Sequence, residues 1–551
     1  MSRPEVVVIG SGAGGAAFAW GLARRGVKVH VLEAGPRYIP QSDYRLASPA
    51  WERTRFPHKV PTRGRQTHAP LQKLTPQWAD LRSWNHLTGR LVTGDQRAFW
   101  AYLHVVGVGG STLHYAGEAH RLHPQTMRLR SRFGVGVDWP LDYAALEPYY
   151  LQAERVIGVA GPAETGARTR MAPYPLPAHA LSFASQRLGQ GCAALGLSWT
   201  QNPVAILSRA YDGRPPCNHC GGCARGCPRL DKGTADITFI AKALATGHCT
   251  LQPACQVLQL EAGAGDRVKA AVYADGAGKQ HRIEADAFAV ACGAVETPRL
   301  LLNSAGTHAP EGLANESGQL GRNFMETLCW TASGLHPEPL GSHRGVPSDG
   351  VFWDCNAPDA IPDVIGGCRF STNMAEADLV GPINYARRVV GGWGHSHKAR
   401  MREQFGRVLS VGAIGENLPD PDAFIDLDPA SKDAFGQPKA RIHAHLGEME
   451  LKRLRFMAET SRKILKAAGA EQLIEEYGAY DNVNATHVFG TCRMGEDPQD
   501  SVVDATCRSH RWRNLLVVDA SVFPSSGGGE APSLTIYALA LHAADGLQGP
   551  T

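Results

Sequence analysis

Residues 5–9, EVVVI, form an unbroken apolar run that halts at glycines, the pattern of a strand buried on both faces of a parallel sheet. Residues 13–25 follow as a helix, and VKVHVLEAG at 27–35 is a second strand, so the chain opens with a β-α-β unit. The same punctuation recurs further on. AFAVACGA predicts a strand and ETPRLLLNS after it a short helix, with the proline near its start. LLVVDASVF at 515–523 is another buried strand, and PSLTIYALALHAADGL at 532–547 a closing helix. Between these lie stretches of a different kind. Residues 36–98, with many Pro, Arg, Trp and His, show weak periodicity and predict an irregular excursion. Residues 330–480 carry alternating strand-like runs and a helix near 447–468, where Leu451, Leu454, Met457, Ile464 and Leu465 share one face and the basic residues between them form a solvated one.

Composition narrows the class. A chain of 551 residues can bury a large core and predicts two domains, and 61 glycines ask for tight turns and close backbone approaches. The net charge of +4 is spread along the chain with no polybasic run, so nucleic acid is not an expected partner. The long uncharged stretch at 6–23 holds five glycines in a fixed pattern, which reads as strand, loop and helix rather than a membrane span. The start has no charged leader followed by an apolar core and cleavage site, so a cytoplasmic location is expected, with periplasmic or membrane association through a partner as the alternative. Thirteen cysteines, four of them within 217–227, do not describe a disulfide framework.

Gly10, Gly12 and Gly15 satisfy G-x-G-x-x-G directly after a strand, and Glu33 closes the next one. The glycines permit the tight turn and let a pyrophosphate approach the N-terminus of the helix, while the Glu33 carboxylate can accept both ribose hydroxyls. An acidic residue there disfavours a 2'-phosphate, which points to FAD or NAD over NADP.

Longer motifs resemble one family. GVGGSTLHYAG at 107–117, GAVETPRLLLNSAG at 293–306, GRNFME at 321–326, ENLPDPDAFIDLDPASKDAFGQP at 416–438, HVFGTCRMG, LLVVDASVFP and PSLTIYALA stand in the order of the glucose-methanol-choline FAD-dependent oxidoreductases. The resemblance spans nearly the whole chain. It implies an α/β fold: a Rossmann-like FAD-binding domain from 1–45, 90–135, 215–330 and 480–551, interleaved with an α+β substrate-binding domain from 46–89, 136–214 and 331–479. It also implies FAD as cofactor, held through Gly109, Gly110, Ser111, Val257, Asn323 and Asp519 besides the fingerprint. His487, opening H-x-x-G-T-C, matches the family's base, which takes the hydroxyl proton while hydride passes to the flavin; imidazole titrates in the range that suits this. The family's second catalytic position, an Asn or His before P-x-L-T-I, is Ala531 here, so Glu530, a residue from the middle domain or a water must take over, or activity is low. His114 is a candidate for covalent attachment to the flavin, against an ordinary loop histidine beside the cofactor.

Cys217, Cys220, Cys223 and Cys227, followed by Pro228, fit C-x2-C-x2-C-x3-C-P, a ferredoxin ligand spacing. An iron-sulfur cluster is the first reading, [3Fe-4S] or [4Fe-4S]; zinc and a metal-free thiol loop stay open. With the cysteines included, the resemblance narrows to bacterial membrane-linked sugar and polyol dehydrogenase subunits, which work with a small chaperone-like subunit and a cytochrome. The expected function is oxidation of a CH-OH group of a sugar, polyol or other alcohol, with electrons leaving one at a time through the cluster. The alternatives are a flavin alcohol oxidase with a structural cysteine loop, and a non-catalytic flavin and cluster subunit for electron transfer.

Overall fold

The computed structural model describes residues 3–49, 51–53, 65–99, 104–163, 166–374, 377–483 and 487–547. Residues 101–103, where the glycine-rich segment begins, and parts of 36–98 lie outside these. A five-stranded parallel sheet carries the N-terminal fingerprint, in the order Cys249–Gln252, Val29–Leu32, Val6–Ile9, Ala287–Val290, Leu515–Val517. Its central strand pairs Val6 with Val29 on one side and Ala287 on the other, and all four of its residues are buried. That burial on both faces is why the sequence shows no alternation there. Helix Ala13–Ala23 packs on the closing helix Ser533–Gly546, close enough that a Cβ on Gly21 would lie 2.8 Å from the Ala544 methyl.

Two expected elements are shortened for a local reason. The strand at 515–523 stops at Val517, because Asp519 turns the chain by accepting the Ser521 N–H at 2.8 Å and opening a short 3-10 turn over Ala520–Val522. The first helix ends at Ala23, two residues early.

The second large unit is an eight-stranded antiparallel sheet. Its order is Gly89–Arg90, Trp84–Asn85, Gln472–Gly478, Leu328–Leu335, Val408–Gly415, Cys368–Thr372, Gly350–Phe352, Thr200–Gln201. Helix Glu448–Ala467 covers one face, and the five apolar residues predicted to share its stripe are all buried. Alternation along the strands then sorts the side chains. Leu328, Trp330, Ala332, Cys368, Phe370, Val411 and Ala413 join the core under the helix, while Cys329, Thr331, Arg369, Ser371, Gly412 and Ile414 face a cavity shared with the parallel sheet.

Candidate active site

The cavity, about 470 Å³, starts at the fingerprint loop and ends on the eight-stranded sheet, and its wall takes residues from both. At the first end Gly10 has φ +97°, and a Cβ there would lie 2.5 Å from the Ala291 carbonyl oxygen. Gly15 is needed for packing rather than for lining: a Cβ on it would lie 2.0 Å from the Gly10 carbonyl oxygen, and the residue is absent from the cavity wall. Gly12, by contrast, has only the Gly110 Cα within 4.0 Å of its missing Cβ, which leaves a bare backbone cradle. The helix that follows has no side-chain cap, so its first N–H groups are available to an anionic ligand. Glu33 is pinned beneath by Ser11 N–H at 2.9 Å, Ser11 Oγ–H at 2.7 Å and Gly35 N–H at 2.8 Å; burial nonetheless pushes its carboxyl up. Val257 completes this end of the wall.

The middle is lined by Gly110, Ser111, His114 and Asp519. One Asp519 oxygen accepts from Gly293 N–H at 2.9 Å and Thr297 Oγ–H at 2.6 Å, tying the strand end at 517 to helix Gly293–Asn303. His114 Nδ1 lies 2.8 Å from the Ala224 carbonyl oxygen; a carbonyl only accepts, so Nδ1 carries the proton. Gly109 stands behind the wall with φ +102°, donating to Ser11 Oγ at 3.3 Å.

His487 lines the cavity at its far end. Its Nδ1 is buried and meets no hydrogen-bond partner among the described residues, and its pKa is pushed down to about 3, by burial first and then by the Arg369 guanidinium. The imidazole is therefore neutral at neutral pH and able to accept a proton. Ala531 also faces the cavity, its N–H donating to His120 Nδ1 at 3.0 Å.

Two further predicted site residues lie outside the cavity wall. Glu530 does not line the cavity. Its Oε1 is held by Arg168 Nη2 at 2.6 Å, Asn356 Nδ2 at 3.0 Å and the His123 N–H at 3.0 Å, so the carboxylate braces the loop instead of facing substrate. Asn323 is likewise outside the wall, in a left-handed turn at φ +59° with its amide donating to Gln319 at 3.0 Å. Conversely, Arg369, Glu118, Ser371 and Thr331 line the cavity and sequence reasoning missed them. The available signal was polar residues at every second position in a strand flanked by apolar partners.

The cysteine loop lies behind the glycine-rich loop that lines the cavity, and is joined to it by hydrogen bonds. Cys217, Cys220, Cys223 and Cys227 are all free, and the first, third and fourth are at least half buried. Lys232, fully buried, donates from Nζ to the carbonyls of Cys223 at 2.7 Å and of Leu113 and Tyr115 at 3.0 Å, spanning the cysteine loop and the glycine-rich loop. His114 bridges the same two loops through Ala224.

Residues 89–329 and 419–540 match family models described as GMC oxidoreductase, and residues 8–41 one described as an NAD(P)-binding Rossmann-like domain. The fructose dehydrogenase large subunit of Gluconobacter japonicus is 30% identical over 98% of this chain and 97% of the relative. The chain belongs to the GMC oxidoreductase family. Paromamine 6'-oxidase of Streptomyces fradiae is also 30% identical, over 99% of this chain and 91% of the relative. Among solved structures, pyridoxine 4-oxidase from Mesorbium loti shares the fold with a TM-score of 0.65 at 19% identity, covering 99% of each chain. This GMC protein is thus an FAD-dependent oxidoreductase acting on CH-OH groups of alcohols or sugars. The bare Gly12 cradle, the uncapped helix start and the line of polar residues leading to His487 suit that cofactor.

Proposed function

We propose that the protein is a dehydrogenase subunit that oxidises a CH-OH group of a sugar or polyol and passes electrons through an iron-sulfur cluster on Cys217, Cys220, Cys223 and Cys227 to an external acceptor. FAD, when bound along the fingerprint and the 110–114 loop, supplies the acceptor for the hydrogen and electron pair leaving the carbinol carbon. His487, kept neutral by burial, takes the hydroxyl proton. The eight-stranded sheet places Thr331, Ser371 and Asn373 as hydrogen-bonding groups for the rest of the substrate, and the apolar stripe on their reverse holds the sheet rigid.

The observation carrying the proposal is the contact between the two loops. Lys232 and His114 fasten the cysteine block to the 110–115 loop that lines the cavity, so a cluster held by these cysteines would stand behind that loop. The C-x2-C-x2-C-x3-C-P spacing of the four cysteines is that of ferredoxin ligands, which favours a cluster over zinc. A one-electron relay also has a purpose here, since flavin collects two electrons and a cytochrome takes one. Transfer to a membrane acceptor falls to partner subunits, a small chaperone-like one and a cytochrome; among the described residues no helix is long and apolar enough to cross a membrane.

Anaerobic optical and EPR spectra of the purified protein, with iron analysis, test this. The panel is a ketose, a sugar acid, a 1,2-diol and an amino sugar. Flavin bleaching accompanied by a change in a cluster signal is expected, and Cys217→Ser removes the iron. The likeness to paromamine 6'-oxidase favours a second reading, a flavin oxidase; absence of iron together with fast oxygen consumption selects it. Bleaching by no panel member, in protein that holds flavin and iron, selects an electron-transfer subunit. We also assign His114 as the covalent flavin site, through its Nε2, since Nδ1 is committed to Ala224; an acid pellet that releases all its yellow colour refutes this.

A further inference from the structure

The loop position that carries an Asn or His in the family's pattern has no side-chain donor here, because it is Ala531. The opposite wall of the same cavity carries a guanidinium. Arg369 projects from strand Cys368–Thr372, is 1% exposed, and lines the cavity together with His487 and Ala531. Its Nε donates to the Gly529 carbonyl at 2.6 Å, Nη1 to Ser371 Oγ at 2.8 Å, and Nη2 to the Glu118 carboxylate at 2.5 Å. A guanidinium has five N–H groups, so two remain that no described side chain or backbone oxygen takes up.

The way Arg369 is held links it to the loop it faces. Glu118 also accepts from Asn202 Nδ2 at 3.0 Å, Asn202 Oδ1 is 2.8 Å from His120 Nε2, and His120 Nδ1 accepts the Ala531 N–H at 3.0 Å. Arg369 closes the circuit at Gly529, where a Cβ would lie 3.0 Å from the arginine's Cγ. One buried network therefore fixes both the loop that lacks a donor and the cation beside it. Glu118 neutralises the net charge, so the guanidinium acts as an oriented donor more than as an anion trap.

We propose that Arg369 takes over the role of the side chain missing at Ala531, donating its remaining N–H groups to the reacting oxygen of the substrate beside His487. The inference rests on CH-OH oxidation with His487 as base. In that reaction the C–H bond breaks and its electron pair leaves with hydrogen as hydride to flavin, the O–H proton goes to His487, and the C=O bond forms. Negative charge gathers on oxygen if the proton leaves first, and fixed donors in a dry site stabilise it without reorganising. Arg369 and His487 line the same cavity, and the guanidinium charge reaches the imidazole, lowering its proton affinity.

The test uses flavin-loaded holoprotein and whichever panel alcohol bleaches the wild type. Arg369→Gln combined with Glu118→Gln removes the donor without stranding a carboxylate. The bleaching rate constant at saturating alcohol is expected to fall about 100- to 1000-fold, the scale for losing one such donor, while half-saturation stays within a few-fold. Adding Ala531→Asn is expected to recover at least about tenfold of the loss, a rescue that a merely structural arginine would not permit. Arg369→Lys, which keeps the ion pair, covers the case in which the double variant loses flavin; its rate is expected to fall about tenfold. Binding of trifluoroethanol, an easily ionised alcohol that resists oxidation, is read without turnover from the flavin spectrum and should weaken by about the same factor in Arg369→Lys. Wild-type rates in the double variant or in Arg369→Lys, or no rescue by Ala531→Asn, overturn the inference. Failure of the wild type to bleach, or of His487→Asn to slow it, instead overturns the reading beneath it.

Discussion

Glu530 separates two explanations of the same loop, and its replacement can be worked out from its contacts. The carboxylate side chain is 0% exposed and Arg168 is 11% exposed, with the guanidinium stacked 4.2 Å from the Trp353 ring. Glu530→Ala leaves that guanidinium buried without its counter-charge, a change that costs about 3–5 kcal/mol. At the average unfolding entropy per residue, a chain of this length loses about 1.2 kcal/mol per degree near Tm, so Tm should drop by about 3–4 °C. Glu530→Gln keeps an acceptor oxygen for Arg168, Asn356 and His123 and should cost less, about 1–3 kcal/mol, from the weaker neutral acceptor. Thermal unfolding of flavin-loaded protein followed by circular dichroism gives the first quantity. Stopped-flow bleaching gives the second, and the Gln variant should react within about threefold of wild type, since no proton passes through this group. A Gln variant with wild-type Tm and a rate lowered 100-fold or more would show the carboxylate working as an acid or base and would refute the bracing assignment.

Other outcomes follow from the same geometry. His487→Asn should slow bleaching by about 100- to 10,000-fold, the worth of a positioned base, with flavin content unchanged. Because burial and Arg369 hold the His487 imidazole far below its ordinary value, bleaching should stay level from about pH 8 down to about pH 5, and an inflection near pH 6.5 would contradict its neutral state. Stability shows the opposite dependence. The unfolded chain takes up a proton on this histidine below about pH 6.5 while the folded one resists, so folding should weaken as pH falls through that value, by up to about 1.4 kcal/mol per unit for this site. Unfolding midpoints at pH 5 and pH 7 in His487→Asn and wild type isolate the contribution. Gly14→Ala places a Cβ 1.7 Å from the Val518 carbonyl oxygen; it should displace Asp519 and lower the flavin content of the purified protein, at about 1–3 kcal/mol or more in stability.

The dinucleotide half was legible because its rules are local: an apolar run, a glycine spacing and one acid lie within 33 residues and are read off consecutively. Helix Glu448–Ala467 was legible for the same reason, a stripe at helical spacing. The active end was not. Glu530 was expected in the cavity because it adjoins Ala531, but its partners Arg168 and Asn356 sit 362 and 174 residues away in sequence, and only the fold reveals that they claim it. Arg369 escaped for the converse reason, a lone arginine in a strand whose neighbour across the cavity is 118 residues further along, at His487. Asn323 shows a third limit: a motif can locate a loop and leave open which of its residues faces inward.

The order of strands in the parallel sheet governs when the flavin site can exist. Its central strand Val6–Ile9 is flanked by Val29–Leu32 and Ala287–Val290, but the sheet is finished by Leu515–Val517, and the fingerprint helix is covered by Ser533–Gly546. A ribosome makes the glycine loop about five hundred residues before the segment that closes over it. The cofactor cradle cannot close until the segment that supplies Asp519 and packs on Gly14 has been made. Flavin insertion therefore waits for those distant residues, and removal of helix Ser533–Gly546 should leave a protein unable to keep its cofactor although every fingerprint residue is intact.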